Sequence, residues 1–214
     1  MSTVVAIDGP AGAGKSTVAR LLAERMGYAY VNTGSLYRAL AWSAMNAGID
    51  PGALTADFLA GLKLEFRGAD LYLNGRLTGA ELRAPEVAAN ASVISKQKIV
   101  RDYLLPVQRN AADSCWIVME GRDIGTVIFP DAEKKFFVTA SPEERARRRL
   151  AQSSEVASGA TFASILAEIK ERDERDSNRP IAPLKPADDA VIVDTTGLSV
   201  DEVVAKLAEL CRQA

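Results

Sequence analysis

Val4-Val5-Ala6-Ile7-Asp8-Gly9-Pro10-Ala11-Gly12-Ala13-Gly14-Lys15-Ser16-Thr17 decides the fold. From Gly9 onward it satisfies G-x-x-x-x-G-K-[ST] in full. The apolar run Val4–Ile7 reads as a strand and Ser16–Met26 as the helix that the motif opens. Strand, glycine-rich loop and helix in that order are the context a phosphate-binding loop requires. A glycine-rich turn with a surface lysine would not need either neighbour. In such a loop successive backbone N–H groups point at one phosphate, and the helix N-terminus adds a positive partial charge. Gly9, Pro10, Ala11, Gly12, Ala13, Gly14, Lys15, Ser16 and Thr17 are therefore the expected triphosphate contacts. Lys15 supplies a mobile cation to the β- and γ-phosphates, and Ser16 a hydroxyl to Mg²⁺.

Outward from this loop, short apolar runs recur: Tyr28–Val31, Trp116–Glu120, Phe136–Thr139 and Val191–Asp194. Their near-continuous hydrophobicity predicts parallel strands buried on both faces. Amphipathic segments lie between them, at about Lys15–Met26, Ser35–Ala47, Ala84–Ala112 with a break near Ser95, Pro142–Gln152 and Val200–Arg212. Ser141-Pro142-Glu143-Glu144 and Ser199…Glu202 carry capping-box spacing. Strands alternating with helices predict a doubly wound α/β sheet. Two segments interrupt the alternation. Leu62–Gly79 predicts a small antiparallel sheet, Lys63–Phe66, Asp70–Leu73 and Arg76–Leu77, with Asn74-Gly75 as a tight turn. Gln152–Thr161 is small and polar and reads as a mobile connection.

The chain has 214 residues, 48% hydrophobic and 25% charged, enough for one sizeable core and short for two full domains. Its net charge of −2 argues against a general nucleic-acid or membrane-surface binder, because such binding needs many cations. Histidine is absent, which removes His-ligated metal sites and any Ser-His or Cys-His nucleophile pair. Cys115 and Cys211 fit no metal spacing and read as reduced thiols. No apolar run approaches a membrane span, and the opening MSTVVAIDGP has no basic or apolar signal stretch. A cytoplasmic protein is expected.

A phosphate loop indicates nucleoside-triphosphate binding and leaves the acceptor open among a GTPase switch, an oligomeric ATPase and a small-molecule kinase. The chain lacks an Asn/Thr-Lys-x-Asp guanine-reading motif, and its compact length with an inserted lobe favours a kinase. Arginine outnumbers lysine 17 to 9. Arg38 follows the turn after the second strand, and Arg122 and Asp123 follow the third. In open α/β sheets the ligand crevice lies beyond the carboxyl ends of the strands, so these arginines are expected to face it. Arg145, Arg147, Arg148 and Arg149 precede the polar connection, and Arg172, Arg175 and Arg179 follow it. Arg145 and Arg147 read equally well as a solvated helix face. Guanidinium forks bind phosphate oxygens two at a time and stabilise charge as a phosphoryl group moves. The missing histidine fits this picture. A phosphate monoester has its second pKa near ~6, so its oxygen attacks without a general base.

Three stretches carry a family resemblance. They are Thr33-Gly34-Ser35-Leu36-Tyr37-Arg38, Glu120-Gly121-Arg122-Asp123-Ile124-Gly125-Thr126-Val127 continuing to Ala132, and Ile169–Arg179 with its E-R-D-x-R-D-x-N-R pattern. Together with the phosphate loop they resemble the bacterial cytidylate kinases, in order, from about Val4 to the C-terminus. The resemblance implies a nucleoside-monophosphate kinase fold with a five-stranded parallel core and a single kinase unit. Within it, core segments would occupy 1–35, 93–151 and 176–214, a monophosphate-binding lobe about 36–92, and a lid about 152–161. It implies ATP-dependent conversion of CMP and dCMP to CDP and dCDP with Mg²⁺, in pyrimidine nucleotide metabolism, by a monomer. Arg38, Arg122 and Arg179 resemble the CMP-phosphate ligands; Ser92, Arg101 and Asp123 the cytosine readers; Arg172 and Asp176 the sugar contacts. Lys15, Arg122, Arg175 and Arg179 are the implied catalytic cations, with one of Arg147–Arg149 assisting; Arg148 or Arg149 would stack on adenine. Chemistry agrees with the base assignment. A carboxylate such as Asp123 accepts from the cytosine amino group, whereas uracil would present an oxygen to it. Glu120 departs from the pattern, since many relatives carry Asp there.

Two rival functions remain at this level. One is the same chemistry on another acceptor, such as UMP or a small metabolite. The other is a nucleotide sensor without phosphoryl transfer. An RNA-binding module is disfavoured by the acidic balance.

Overall fold

Four consecutive apolar residues and the carboxylate that follows them form β1, Val4–Asp8, and all five residues are buried. The computed structural model describes residues 4–151 and 159–213. The chain forms two compact units, Met1–Tyr30 with Cys115–Ala214, and Val31–Ser114.

In the first unit β1 pairs in parallel with β6, Ile117–Glu120, and with β7, Lys134–Thr139. Outside β7 lies β8, Val191–Asp194, also parallel. With β2, Ala29–Asn32, the sheet has five strands in the order β2-β6-β1-β7-β8. This is the expected α/β architecture. Helices α1, Lys15–Met26, and α8, Val200–Arg212, cover one face. Val18, Leu22, Val203 and Leu207 there pack with Val5, Ile7, Val118, Phe136 and Val193. Burial on both faces does not extend to the edge: in β8, Val191 is 42% and Ile192 60% exposed. An edge strand of apolar composition is indistinguishable by composition from a central one.

Helix α8 starts in a complete capping box between Ser199 and Glu202. At α6, Pro142–Ala151, only half of the expected box forms. Ser141 Oγ accepts from Glu144 N at 3.2 Å. The Glu144 carboxylate instead pairs with Arg147 and Arg148, and Ser141 N donates to Thr196 Oγ1 at 3.0 Å. Two of the elements in this unit had no sequence expectation. One is α7, Phe162–Ser177, opened by a Thr161–Ser164 capping box. The other is the π-helical turn Ile124–Ile128. Of the lid expected at about 152–161, residues 152–158 lie outside the described residues.

The second unit is built on α2, Thr33–Asn46; α3, Ala56–Ala60; the antiparallel strands β3, Leu64–Arg67, β4, Asp70–Leu73, and β5, Arg76–Leu77; and α4, Pro85–Ile94, and α5, Lys98–Asn110. Asn74 (φ 51°) and Gly75 (φ 79°) make the tight turn between β4 and β5, as two positive φ values require. This compact unit, Val31–Ser114, takes in α5. Val100 and Leu104 join Leu36, Leu40, Leu59, Leu64 and Ile94 in one core. The break near Ser95 is present, and Gln97 holds it: its amide donates to Pro51 O at 2.6 Å and accepts from Leu54 N at 3.0 Å.

Candidate active site

The phosphate loop leaves β1 at Gly9, which has φ +144°. A Cβ there would sit 1.9 Å from the Val138 carbonyl oxygen, so the close approach of loop to β7 admits glycine alone. Gly14, at φ +86°, turns the chain into α1. Lys15 is 5% exposed, and its Nζ donates to Pro10 O at 2.6 Å. Burial, and then the charge of Arg122, hold its ammonium well below the ordinary lysine range; Glu120 and Asp8 oppose this, and Arg172 adds to it. Lys15 thus sits in the combined field of two arginines and two carboxylates. Ser16 and Thr17 are exposed on the first turn of α1, where their hydroxyls are accessible.

The two carboxylates are held differently. Asp8, the last residue of β1, is 5% exposed. Its two oxygens accept from Ile124 N and Gly125 N, each at 2.8 Å. Burial raises its pKa from 3.8 to about 6, against the lowering effect of those two N–H groups; Asp123 adds to the rise. Glu120 ends β6 at 4% exposure and accepts from the Tyr30 hydroxyl at 2.5 Å. Sequence reasoning missed Asp8, although an acidic residue ending an apolar strand directly before the loop was a visible signal.

Beyond Glu120 the expected acceptor residues of the first unit come together. Arg122 Nε lies 3.3 Å from Asp176 Oδ2, and Arg172 Nε 3.9 Å from the same oxygen. Arg179 Nη2 lies 3.5 Å from Asp123 Oδ1, with both side chains nearly buried. Arginine and carboxylate therefore alternate along this wall. Such a wall keeps guanidinium groups ordered at modest net charge, ready to exchange a carboxylate for a phosphate oxygen.

The remaining basic residues divide. Arg148 Nη1 donates to Thr195 Oγ1 at 2.9 Å and Nη2 to Thr195 O at 2.7 Å. A Cβ on Gly14 would lie 3.7 Å from Arg148 Nη1, so this guanidinium borders the loop. Arg149 reaches Glu168 of α7 at 3.6 Å, and Arg175 pairs with Glu171 on its own helix. Arg145 is not on a solvated face; it is 3% exposed.

Arg38, Ser92 and Arg101 belong to the second unit. Arg38 Nη1 donates to Leu82 O at 3.0 Å. Ser92 and Arg101 are each 8% exposed and meet at the α4–α5 break. There Ser95 Oγ donates to Ser92 O at 2.9 Å and Arg101 Nε donates to Ser95 O at 2.8 Å. The Arg101 guanidinium lies 5.7 Å from the Tyr37 ring centre. Two residues unremarkable in isolation are thus joined by the bend that separates their helices.

Comparison with known proteins identifies relatives along the whole chain. The sequence profile of the family described as "Cytidylate kinase" matches residues 5–213. The cytidylate kinase of Thermosipho melanesiensis is 44% identical over 209 residues, covering 98% of this chain and 96% of that protein. That of Pseudomonas paraeruginosa is 45% identical over 221 residues, covering 98% and 95%. Among solved structures, an uncharacterized protein from Eubacterium ventriosum aligns over 99% of both chains with a TM-score of 0.56 at 14% identity, a likeness of fold alone. With a phosphate loop backed by a wall of paired arginines, and with this extent of sequence identity, the chain belongs to the cytidylate kinase family.

Proposed function

We propose that this chain transfers the γ-phosphoryl group of ATP to CMP and dCMP, giving ADP with CDP or dCDP. The observation that carries the reading is the position of Lys15, in the field of Arg122 and Arg172 within one compact unit of a cytidylate kinase family chain. An oxygen of the acceptor phosphate attacks the γ-phosphorus. The bond to the β,γ-bridging oxygen breaks, and ADP leaves with the electron pair. The acceptor is already ionised near neutral pH, so no base is required, in keeping with a chain that has no histidine. Catalysis then rests on alignment and charge stabilisation.

In this reading Gly9–Thr17 and Lys15 hold the donor, and Arg148 and Arg149 flank its nucleoside. Arg38, Arg122 and Arg179 hold the acceptor phosphate. Ser92, Arg101 and Asp123 read cytosine, and Arg172 and Asp176 contact the sugar. Arg175 screens developing charge. Mg²⁺, when bound, would neutralise phosphate charge and orient the oxygens. The exposed Ser16 hydroxyl beside Lys15 suits it, with Asp8 and Glu120 nearby in Lys15's field. The enzyme is read as a cytoplasmic monomer. Among the described residues no helix is long and apolar enough to cross a membrane, and Cys115 and Cys211 are free thiols.

ADP release is to be followed with CMP, dCMP, UMP and AMP in parallel. CMP and dCMP should turn over, and UMP should be poorer by about a hundredfold or more in kcat/KM. UMP turning over as well as CMP would remove the role given to Asp123. No CMP-dependent ADP release would leave a nucleotide sensor as the reading.

A further inference from the structure

Arg145 has no role in the assignments above, yet it is among the most buried charged residues, at 3% exposure. A buried guanidinium is costly unless its donors are satisfied, and here they are satisfied by three separate parts of the first unit. Nε donates to Ala140 O, just beyond β7, at 2.9 Å. Nη1 donates to Ala11 O of the phosphate loop at 3.2 Å and to Asp173 Oδ1 at 3.0 Å. Nη2 donates to Asp173 Oδ2 at 2.5 Å, completing a two-pronged pair with α7. The loop also packs directly on α6: a Cβ on Gly12 would lie 3.3 Å from Arg145 Cβ.

The partner's neighbours give this contact its meaning. Asp173 lies between Arg172 and Asp176 on the same stretch of α7. Asp176 faces Arg122 and Arg172 approaches the same carboxylate, whereas Asp173 turns to Arg145. One turn of α7 is thus fixed on one side to the donor loop and on the other to the acceptor wall.

We propose that Arg145 is a positioning residue: through Asp173 and the Ala11 carbonyl it sets α7, and with it Arg172 and Asp176, in fixed register on the phosphate loop. Arg145 touches neither nucleotide; its effect is on how donor and acceptor phosphates are aligned. The inference rests on the kinase reading above for its kinetic consequence, though not for its structural one. Misplacement of reacting groups by an ångström lowers turnover far more than it lowers binding.

Arg145→Met empties a buried site and risks misfolding, so the decisive variant is Asp173→Asn, which keeps shape and leaves the guanidinium in place. Arg145→Lys retains the charge and loses the fork. Both full-length variants are compared with wild type for CMP-dependent ADP release, normalised to sites that bind an ATP analogue. The expected result is a fall in kcat of about tenfold or more, with KM for ATP and CMP changed by less than about threefold. Amide hydrogen exchange read by mass spectrometry should speed up over 10–14 and leave β1 unchanged. A kcat per site equal to wild type, with the loss confined to thermal stability, would overturn the kinetic role. Unchanged exchange over 10–14 would overturn the positioning itself, whatever the enzyme's acceptor. Wild type lacking CMP-dependent activity would sink the kinase reading alone, and the exchange measurement would still decide the structural proposal.

Discussion

Asp8 shows how one residue links folding to the site. Its carboxylate accepts two backbone N–H bonds from the turn that follows Arg122 and Asp123. Burial nevertheless raises its pKa to about 6, so the folded chain binds that proton more tightly than the unfolded chain does. Between pH 4 and 6 the folded state therefore holds more protons, and this group's contribution to stability declines as pH rises, by ~3 kcal/mol across the window. Urea denaturation of wild type and Asp8→Asn across that range measures it: the decline should be present in wild type and absent in the variant. Lys15→Ala removes the cation from the donor loop and should lower kcat by about 10³-fold, with the fold retained by circular dichroism. Asp123 and Arg179 form a nearly buried pair 3.5 Å apart. Asp123→Ala should chiefly relax base choice and Arg179→Ala should weaken CMP and dCMP alike. Each also leaves a buried charge without its partner, so both should melt at lower temperature than wild type. Equal loss of CMP preference in the two would contradict the division of roles.

Among the elements, those legible in the sequence are those whose cause is local. The phosphate loop, the Asn74-Gly75 turn and the Ser199–Glu202 box each occupy a few consecutive residues, and each forms where expected. Ser199→Ala removes one cap from an otherwise exposed helix start and should cost about 1 kcal/mol in urea unfolding. Elements set by distant partners were not legible. Glu144 abandons its capping role because Arg147 and Arg148 compete for its carboxylate. The turn Ile124–Ile128 takes a π-helical form where Asp8, far away in sequence, holds its first N–H groups. The start of α7 was hidden because its box uses Ser164 rather than Glu or Gln.

At the scale of the molecule, the charge balance of the arginine–carboxylate wall was foreseeable only in part. Sequence motifs located Arg122, Arg172 and Arg179 and also Asp123 and Asp176, but not the pairing of these carboxylates with those arginines. What α5 packs against was not legible for a similar reason: its apolar stripe says that the helix is covered, not by what. Nucleotide binding should add to global stability by mass action. An ATP analogue at a hundred times its Kd should raise the unfolding free energy by ~2.7 kcal/mol in wild type and by much less in Lys15→Ala.

The border strand β8 carries a further consequence. Ile192 is 60% exposed at the last position in the sheet order, with Val191 beside it at 42%. Hydrocarbon on an outer strand invites a second chain to extend the ladder when the protein is crowded or warmed, so turbidity on storage should begin there. A lysine at 192 would act as a gatekeeper, delaying clouding in a light-scattering ramp without touching the chemistry.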